Sequence, residues 1–184
     1  MNVIPAEIPD ILILEPEIFG DERGYFLESW NEADFRTAGI NCRWVQDNES
    51  KSRAGVVRGL HWQAAPYTQA KLVRVISGAV LDVAVDIREG SATFGKYTTV
   101  ELNDKNKRQL FIPSGFAHGF AVLSDEVIFT YKCDNPYMPS AECGIAFDDP
   151  DLNIDWHIAP EKMILSPKDR DLPYLRDIAP WEEK

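Results

Sequence analysis

Three residues stand in strand-like, apolar runs where a hydrocarbon side chain would pack with less cost: His61 in Val57-Arg58-Gly59-Leu60-His61-Trp62-Gln63, Lys71 in Gln69-Ala70-Lys71-Leu72-Val73-Arg74-Val75, and Tyr131 in Phe129-Thr130-Tyr131-Lys132. A neutral imidazole accepts a proton near pH 7, and a buried ammonium stabilises the negative oxygen of an enolate. A phenol on the other side of a substrate can return a proton to the opposite face. Such a trio suits proton abstraction next to a carbonyl followed by reprotonation, which is the chemistry of an epimerase. Taken singly, each has a plainer reading: a hydrogen-bonded core histidine, a strand-edge lysine, a packed tyrosine. An imidazole acting as a base also needs an orienting group on its second nitrogen, usually a carboxylate. Asp169 in Ser166-Pro167-Lys168-Asp169, and Asp82 or Asp86 in the 81–87 run, are the candidates.

The elements that must position these groups are short strands. Side chains alternate faces along a strand, so His61 and Gln63 share one face, Lys71, Val73 and Val75 another, and Val127, Phe129 and Tyr131 a third. If those faces line one barrel interior, His61, Lys71 and Tyr131 converge. Strict alternation sends Arg58 away from His61, whereas a bulge at Gly59 brings the guanidinium inward. Strand signals fall at 11–14, 43–46, 56–63, 71–77, 79–87, 97–102, 109–112 and 127–131, separated by turns such as Ser77-Gly78, Glu89-Gly90 and Pro113-Ser114-Gly115. Many short strands with frequent turns predict a sandwich or barrel rather than a parallel α/β sheet. One helix is expected over 31–38, capped by Asn31 or Ser29 and ended by Gly39, and a short one begins at Ser166-Pro167. The chain reads as a single domain, 1–184, whose charged, proline-rich tail from about 171 to 184 lies over the surface.

Bulk properties narrow the partners. The 184 residues are 45% hydrophobic and carry a formal charge of −11. That suffices for a sizeable core and argues against a nucleic-acid surface, which needs a basic stripe. An anionic ligand must be held by a local cluster of cations. Cys42, Cys133 and Cys143 are odd in number and show no CxxC spacing, so free thiols are expected. No secretory signal and no apolar run of about 18 residues is apparent, which predicts a cytoplasmic protein with no membrane association. The segment Pro113-Ser114-Gly115-Phe116-Ala117-His118 resembles the second motif of cupin barrels, where a turn delivers a histidine onto an inner strand. The first cupin motif supplies His-x-His and a carboxylate, but this chain reads His61-Trp62-Gln63. One imidazole is missing and His157 is isolated, so no metal site is expected.

Together these segments resemble the dTDP-4-dehydrorhamnose 3,5-epimerases of deoxysugar biosynthesis. The matching stretches are 19–28, 45–52, 58–63, 69–75, 82–88, 111–120 and 131–132, in the family's order. The resemblance implies a mainly β fold, a cupin-like double-stranded β-helix or jelly-roll barrel with N-terminal strands and a few short helices. It implies an enzyme that needs no cofactor and inverts C3 and C5 of dTDP-4-dehydro-6-deoxy-D-glucose to give dTDP-4-dehydro-L-rhamnose. It further implies that His61 is the general base, Asp169 its orienting carboxylate, Lys71 the stabiliser of the 4-keto oxygen and Tyr131 the opposing acid. Arg23, Glu28, Gln46, Asn48, Arg58, His118, Glu142 and Lys168 match positions that hold the nucleotide, its diphosphate or the sugar. Tyr137 matches an aromatic that stacks on thymine. A homodimer is implied, with the N-terminal segment carrying Arg23 and Glu28 reaching into the partner's site. Three alternatives stand beside it: an epimerase acting on one centre of a related dTDP-4-keto-6-deoxy sugar, a metal-dependent cupin using His61 and His118, and a non-catalytic nucleotide-sugar binding module, which would need no base and acid at His61 and Tyr131.

Overall fold

The computed structural model describes residues 1–182, so the last two residues of the expected surface tail lie outside the described residues. Thirteen strands and two short α-helices follow one another: β1 Asn2–Pro5, β2 Leu12–Glu15, β3 Ile18–Asp21, β4 Gly24–Leu27, α1 Glu32–Thr37, β5 Gln46–Arg53, β6 Val57–Gln63, β7 Lys71–Ser77, β8 Ala79–Asp86, β9 Tyr97–Asn103, β10 Gln109–Ile112, β11 Phe116–Val122, β12 Glu126–Cys133, β13 Glu142–Gly144 and α2 Pro167–Arg170. Two antiparallel sheets, in the orders β1-β2-β10-β7-β12-β5 and β13-β6-β11-β8-β9, face each other as the jelly-roll barrel, and β3 and β4 form a separate hairpin.

The alternation read from the sequence fills the space between the sheets. Val73 and Val75 of β7, Val80 and Ala84 of β8, Phe116, Phe120 and Val122 of β11, and Val127 and Phe129 of β12 form one buried cluster, with Tyr131 packed at its margin. Apolar packing therefore fills this part of the interior, and the polar Tyr131 stands at its edge. The outer face of the five-stranded sheet, including Leu81, Val83 and Val85, is covered by C-terminal segments that contribute Ile145, Leu152, Trp156 and Leu175. The segment after residue 171 is thus partly a packing element: Leu175 is buried, and Trp181 N donates to Ile87 O.

Helix α1 covers the other sheet, driving Phe35 against Leu14, Leu72 and Phe111. Asn31 caps it, its Oδ1 accepting from Ala33 N and Asp34 N. The strand expected over 43–46 begins only at Gln46 and continues to Arg53. Its sequence, Gln-Asp-Asn-Glu-Ser-Lys-Ser-Arg, lacks the apolar alternation that marks a half-buried strand. It is a strand because it pairs residue for residue with β12.

The bulge expected at Gly59 is present. On β6 the residues Gly59 and Leu60 lie opposite the single Gly119 of β11, between the pairs Phe120 with Arg58 and His118 with His61. Gly59 adopts φ +112°, and a Cβ there would meet Gly119 Cα and His118 O at 2.6 Å. Only glycine accommodates both the dihedral and the close approach.

Candidate active site

Strand β6 delivers His61 to the polar mouth of the barrel, where α2 meets it from 108 residues away in sequence. The His61 Nε2 to Asp169 Oδ1 distance is 2.6 Å. Ser166 makes this possible: its hydroxyl accepts from Asp169 N as the helix cap and donates to Asp169 Oδ2 at 2.8 Å. Both carboxylate oxygens are thus committed, and the side chain is almost wholly buried. Burial alone raises the Asp169 pKa, but its hydrogen bonds with His61 and Ser166, with the nearby charge of Lys168, outweigh it and hold the carboxyl below its usual value. Of the three carboxylates offered by the sequence, Asp169 is the one on His61. Asp82 instead faces His118, both oxygens 3.0 Å from Nε2, and Asp86 accepts from Arg88, Ser91 and Thr93.

Lys71, at the start of β7, extends its Nζ to 3.4 Å from His61 O. Desolvation lowers its pKa, opposed by Cys133 and by the carboxyl groups of Asp82 and Glu142. The ammonium makes no ion pair within 4.0 Å among the described residues, which leaves its charge available to an oxygen placed beside it. Tyr131 enters from β12, and burial first, then the neighbouring Cys133 and Glu142, raises its pKa against the lowering effect of Arg58. The phenol is therefore held protonated, as an acid requires. The Gly59 bulge turns Arg58 to this side: Nε donates to Ser52 Oγ at 3.1 Å, and the charge is felt by Tyr131.

The remaining positions divide into two groups. Gln46 and Asn48 are joined by a 2.8 Å hydrogen bond on β5, and Gln46 Oε1 accepts from Tyr137 N. The Tyr137 hydroxyl donates to Glu142 Oε2 at 2.6 Å, and Lys168 forms an ion pair with the same carboxylate. Glu142 in turn lies near enough to His61, Lys71 and Tyr131 to influence their electrostatics. So Gln46, Asn48, Arg58, Tyr137, Glu142 and Lys168 rim the cluster of His61, Lys71, Tyr131, His118 and Asp169. Arg23 and Glu28 do not join it within one chain. Arg23 sits on the β3–β4 hairpin with 85% of its side chain exposed, paired among the described residues only with Asp21, and Glu28 is exposed just after β4.

Sequence reasoning passed over Cys133. It follows Tyr131 by two residues and so shares its face, and it accepts a hydrogen bond from Asn48 Nδ2 at 3.8 Å. Burial pushes its thiol up to about 11 despite the Lys71 charge, so it remains a neutral surface of the site. Among the described residues no group of three or more His, Cys, Asp and Glu side chains is disposed to hold a metal ion. The Gln63 amide, where a cupin would carry its second histidine, is turned to loop backbone.

What this arrangement can do is remove a proton with a carboxylate-backed imidazole, accommodate negative charge on an oxygen beside Lys71, and supply a proton from a phenol. Comparison with known proteins leads to the same chemistry. The profile of the dTDP-4-dehydrorhamnose 3,5-epimerase family matches residues 5–177. A dTDP-4-dehydrorhamnose 3,5-epimerase of Shigella flexneri is 56% identical over 170 residues, covering 92% of this chain and 93% of its own. The crystal structure of a dTDP-6-deoxy-D-glucose-3,5-epimerase from Legionella pneumophila in complex with dTDP-4-keto-L-rhamnose is similar at a TM-score of 0.95 and 48% identity, covering 100% of this chain and 98% of that one. A 3′-monoepimerase from Streptomyces bikiniensis, solved with dTDP-quinovose, shares the fold at a TM-score of 0.86 and 33% identity, covering 94% and 87%. With the profile spanning nearly the whole chain and relatives at this identity, the protein belongs to the dTDP-4-dehydrorhamnose 3,5-epimerase family.

Proposed function

We propose that the chain inverts C3 and C5 of dTDP-4-dehydro-6-deoxy-D-glucose to give dTDP-4-dehydro-L-rhamnose. The observation that carries this reading is the 2.6 Å contact of His61 with the buried Asp169, in a member of this family. Because Nε2 is committed to the carboxylate, Nδ1 is the nitrogen left to accept a proton from carbon. As the C–H bond breaks, its electrons pass toward the 4-keto oxygen, and Lys71 stabilises the enolate that results. At C5 the enolate collapses by taking a proton from Tyr131 on the opposite face, and at C3 by taking one from solvent water on the face opposite His61, so that each proton removed is replaced and each centre is inverted. Proton transfer alone accounts for the reaction, so the reading requires no cofactor.

The substrate's diphosphate needs cations in a protein of charge −11, and Arg58 and Lys168 supply them at the rim, with His118, Gln46 and Asn48 as further polar contacts. Tyr137, half exposed beside them, offers a ring face to thymine. Arg23 and Glu28 act in a neighbouring copy: in a homodimer the β3–β4 hairpin, whose Ile18, Phe19, Tyr25 and Phe26 are exposed, covers the partner's site and brings its arginine to the diphosphate. A cytoplasmic location belongs to the same reading; among the described residues no helix is long and apolar enough to cross a membrane.

The test is incubation of the purified protein with the 4-keto sugar nucleotide in deuterated water. Deuterium at both C3 and C5 with inversion at both is expected. Exchange with inversion at a single carbon would favour a single-centre epimerase, a reading that the similarity to the Streptomyces bikiniensis monoepimerase keeps in view. No exchange at either carbon would overturn both.

A further inference from the structure

Gln63 is buried, lies two residues beyond His61 on the same face of β6, and makes three amide hydrogen bonds, all of them to loop backbone. Nε2 donates to Tyr67 O at 2.6 Å and to Pro136 O at 3.1 Å, and Oε1 accepts from Met138 N at 2.7 Å. The two partners on the Tyr137 loop, the acceptor Pro136 O and the donor Met138 N, thus belong to the peptide groups on either side of Tyr137. Other amides continue the seam between the same loops. Gln69 Nε2 donates to Asn135 O, Asn135 Nδ2 donates to Pro66 O and Thr68 O, and Ala70 N donates to Asp134 Oδ1. Gln46 Oε1 takes Tyr137 N from the other side.

These contacts leave the backbone of Tyr137 with little freedom while its ring remains half exposed. A buried amide left without partners is unfavourable, so each of these bonds holds the loop in one pose. We propose that Gln63 is a positioning residue for nucleotide recognition: it anchors the Tyr137 loop to the strand that carries the base, and so sets the height of the aromatic face above the site. It touches neither the reacting carbons nor His61. The inference rests on the reading of Tyr137 as the thymine platform given above.

The test is a double-mutant cycle on dTDP affinity, with wild type, Gln63→Met, Tyr137→Ala and the double variant, each also assayed for turnover at saturating substrate. Gln63→Met keeps the volume and removes all three bonds. It is expected to weaken dTDP binding about tenfold and raise KM in proportion, with kcat within about twofold of wild type. In the Tyr137→Ala background the same substitution should change dTDP affinity by less than about twofold, because the platform it positions is gone. Equal weakening in both backgrounds, or a fall in kcat with KM unchanged, overturns the role given to Gln63. If Tyr137→Ala binds dTDP as wild type does, the platform reading fails and the inference with it. Should Gln63→Met not fold, Gln69→Leu, which cuts the same seam further from β6, takes its place in the cycle with the same expected pattern at smaller amplitude, and additivity there overturns the proposal equally.

Discussion

Replacing Asp169 by asparagine removes one charge and keeps the shape of the side chain. In the folded protein the carboxylate holds His61 Nε2 at 2.6 Å through Oδ1 and receives the Ser166 hydroxyl on Oδ2. As His61 takes a proton from carbon it becomes an imidazolium, with its charge centred roughly 4 Å from the carboxylate. At an effective dielectric constant of about 20, that pair is worth about 4 kcal/mol. An asparagine cannot supply this energy. If its oxygen stays with the Ser166 hydroxyl, its NH2 group faces Nε2, donates to it and moves the imidazole proton to Nδ1, the nitrogen needed as the base. Since each 1.36 kcal/mol is a factor of ten in rate, the expected loss in kcat is about 10³-fold. The assay is deuterium incorporation at C3 and C5 at saturating substrate, followed by NMR, with dTDP affinity measured in parallel. Affinity should stay within about twofold, because Asp169 lies behind the imidazole. A loss of exchange below tenfold would refute the electrostatic reasoning, and a parallel loss of dTDP binding would mean that Asp169 supports the whole site.

Tyr131→Phe should leave exchange at C5 in place while inversion at C5 falls by about 10²-fold or more, read by NMR of the product; inversion at the wild-type rate would remove the phenol from its role as acid. Arg58→Ala should weaken dTDP binding about tenfold by calorimetry and leave kcat little changed, the range expected for a charge-assisted contact to phosphate. Asp86 offers a pH prediction away from the site. Burial opposes its ionisation, but hydrogen bonds from Arg88, Ser91 and Thr93 outweigh that and bring its pKa from 3.8 to about 2. The folded-state value is the lower one, so the unfolded chain binds more protons as the pH falls. The contribution, about 2 kcal/mol, is therefore complete above about pH 4 and lost as the pH approaches 2. Urea unfolding of wild type and Asp86→Asn should converge by about 1.5 kcal/mol between pH 6 and pH 2.5; a constant gap would contradict it.

Legibility in the sequence followed the physics of each element. Lys71–Ser77 and Gln109–Ile112 emerge as strands with the boundaries read from the sequence, because β-branched and apolar residues stand between turn residues. Gln46–Arg53 was hidden because its inward side chains, Gln46, Asn48 and Ser52, face the polar part of the barrel and not its core. The β3–β4 hairpin escaped notice for the opposite reason: seven of its eight residues are exposed, so neither face carries a burial pattern. In the site, the common face of His61 with Gln63 and of Phe129 with Tyr131 followed from period-2 alternation, and Gly59 marked the bulge that turns Arg58. The choice among Asp169, Asp82 and Asp86 did not, since a contact spanning 108 residues leaves no local pattern. The same holds for Gln63, whose missing-histidine position is visible in sequence but whose bonds to two loops are not.

The central claim is that His61 is the base and that binding is carried by other residues. His61→Ala separates the two most directly, by deuterium exchange at C3 and C5 on one side and dTDP affinity on the other. Exchange at both carbons should fall by at least about 10³-fold while the dTDP Kd stays within about twofold of wild type. Retained exchange, or equal loss in both measurements, would contradict the assignment.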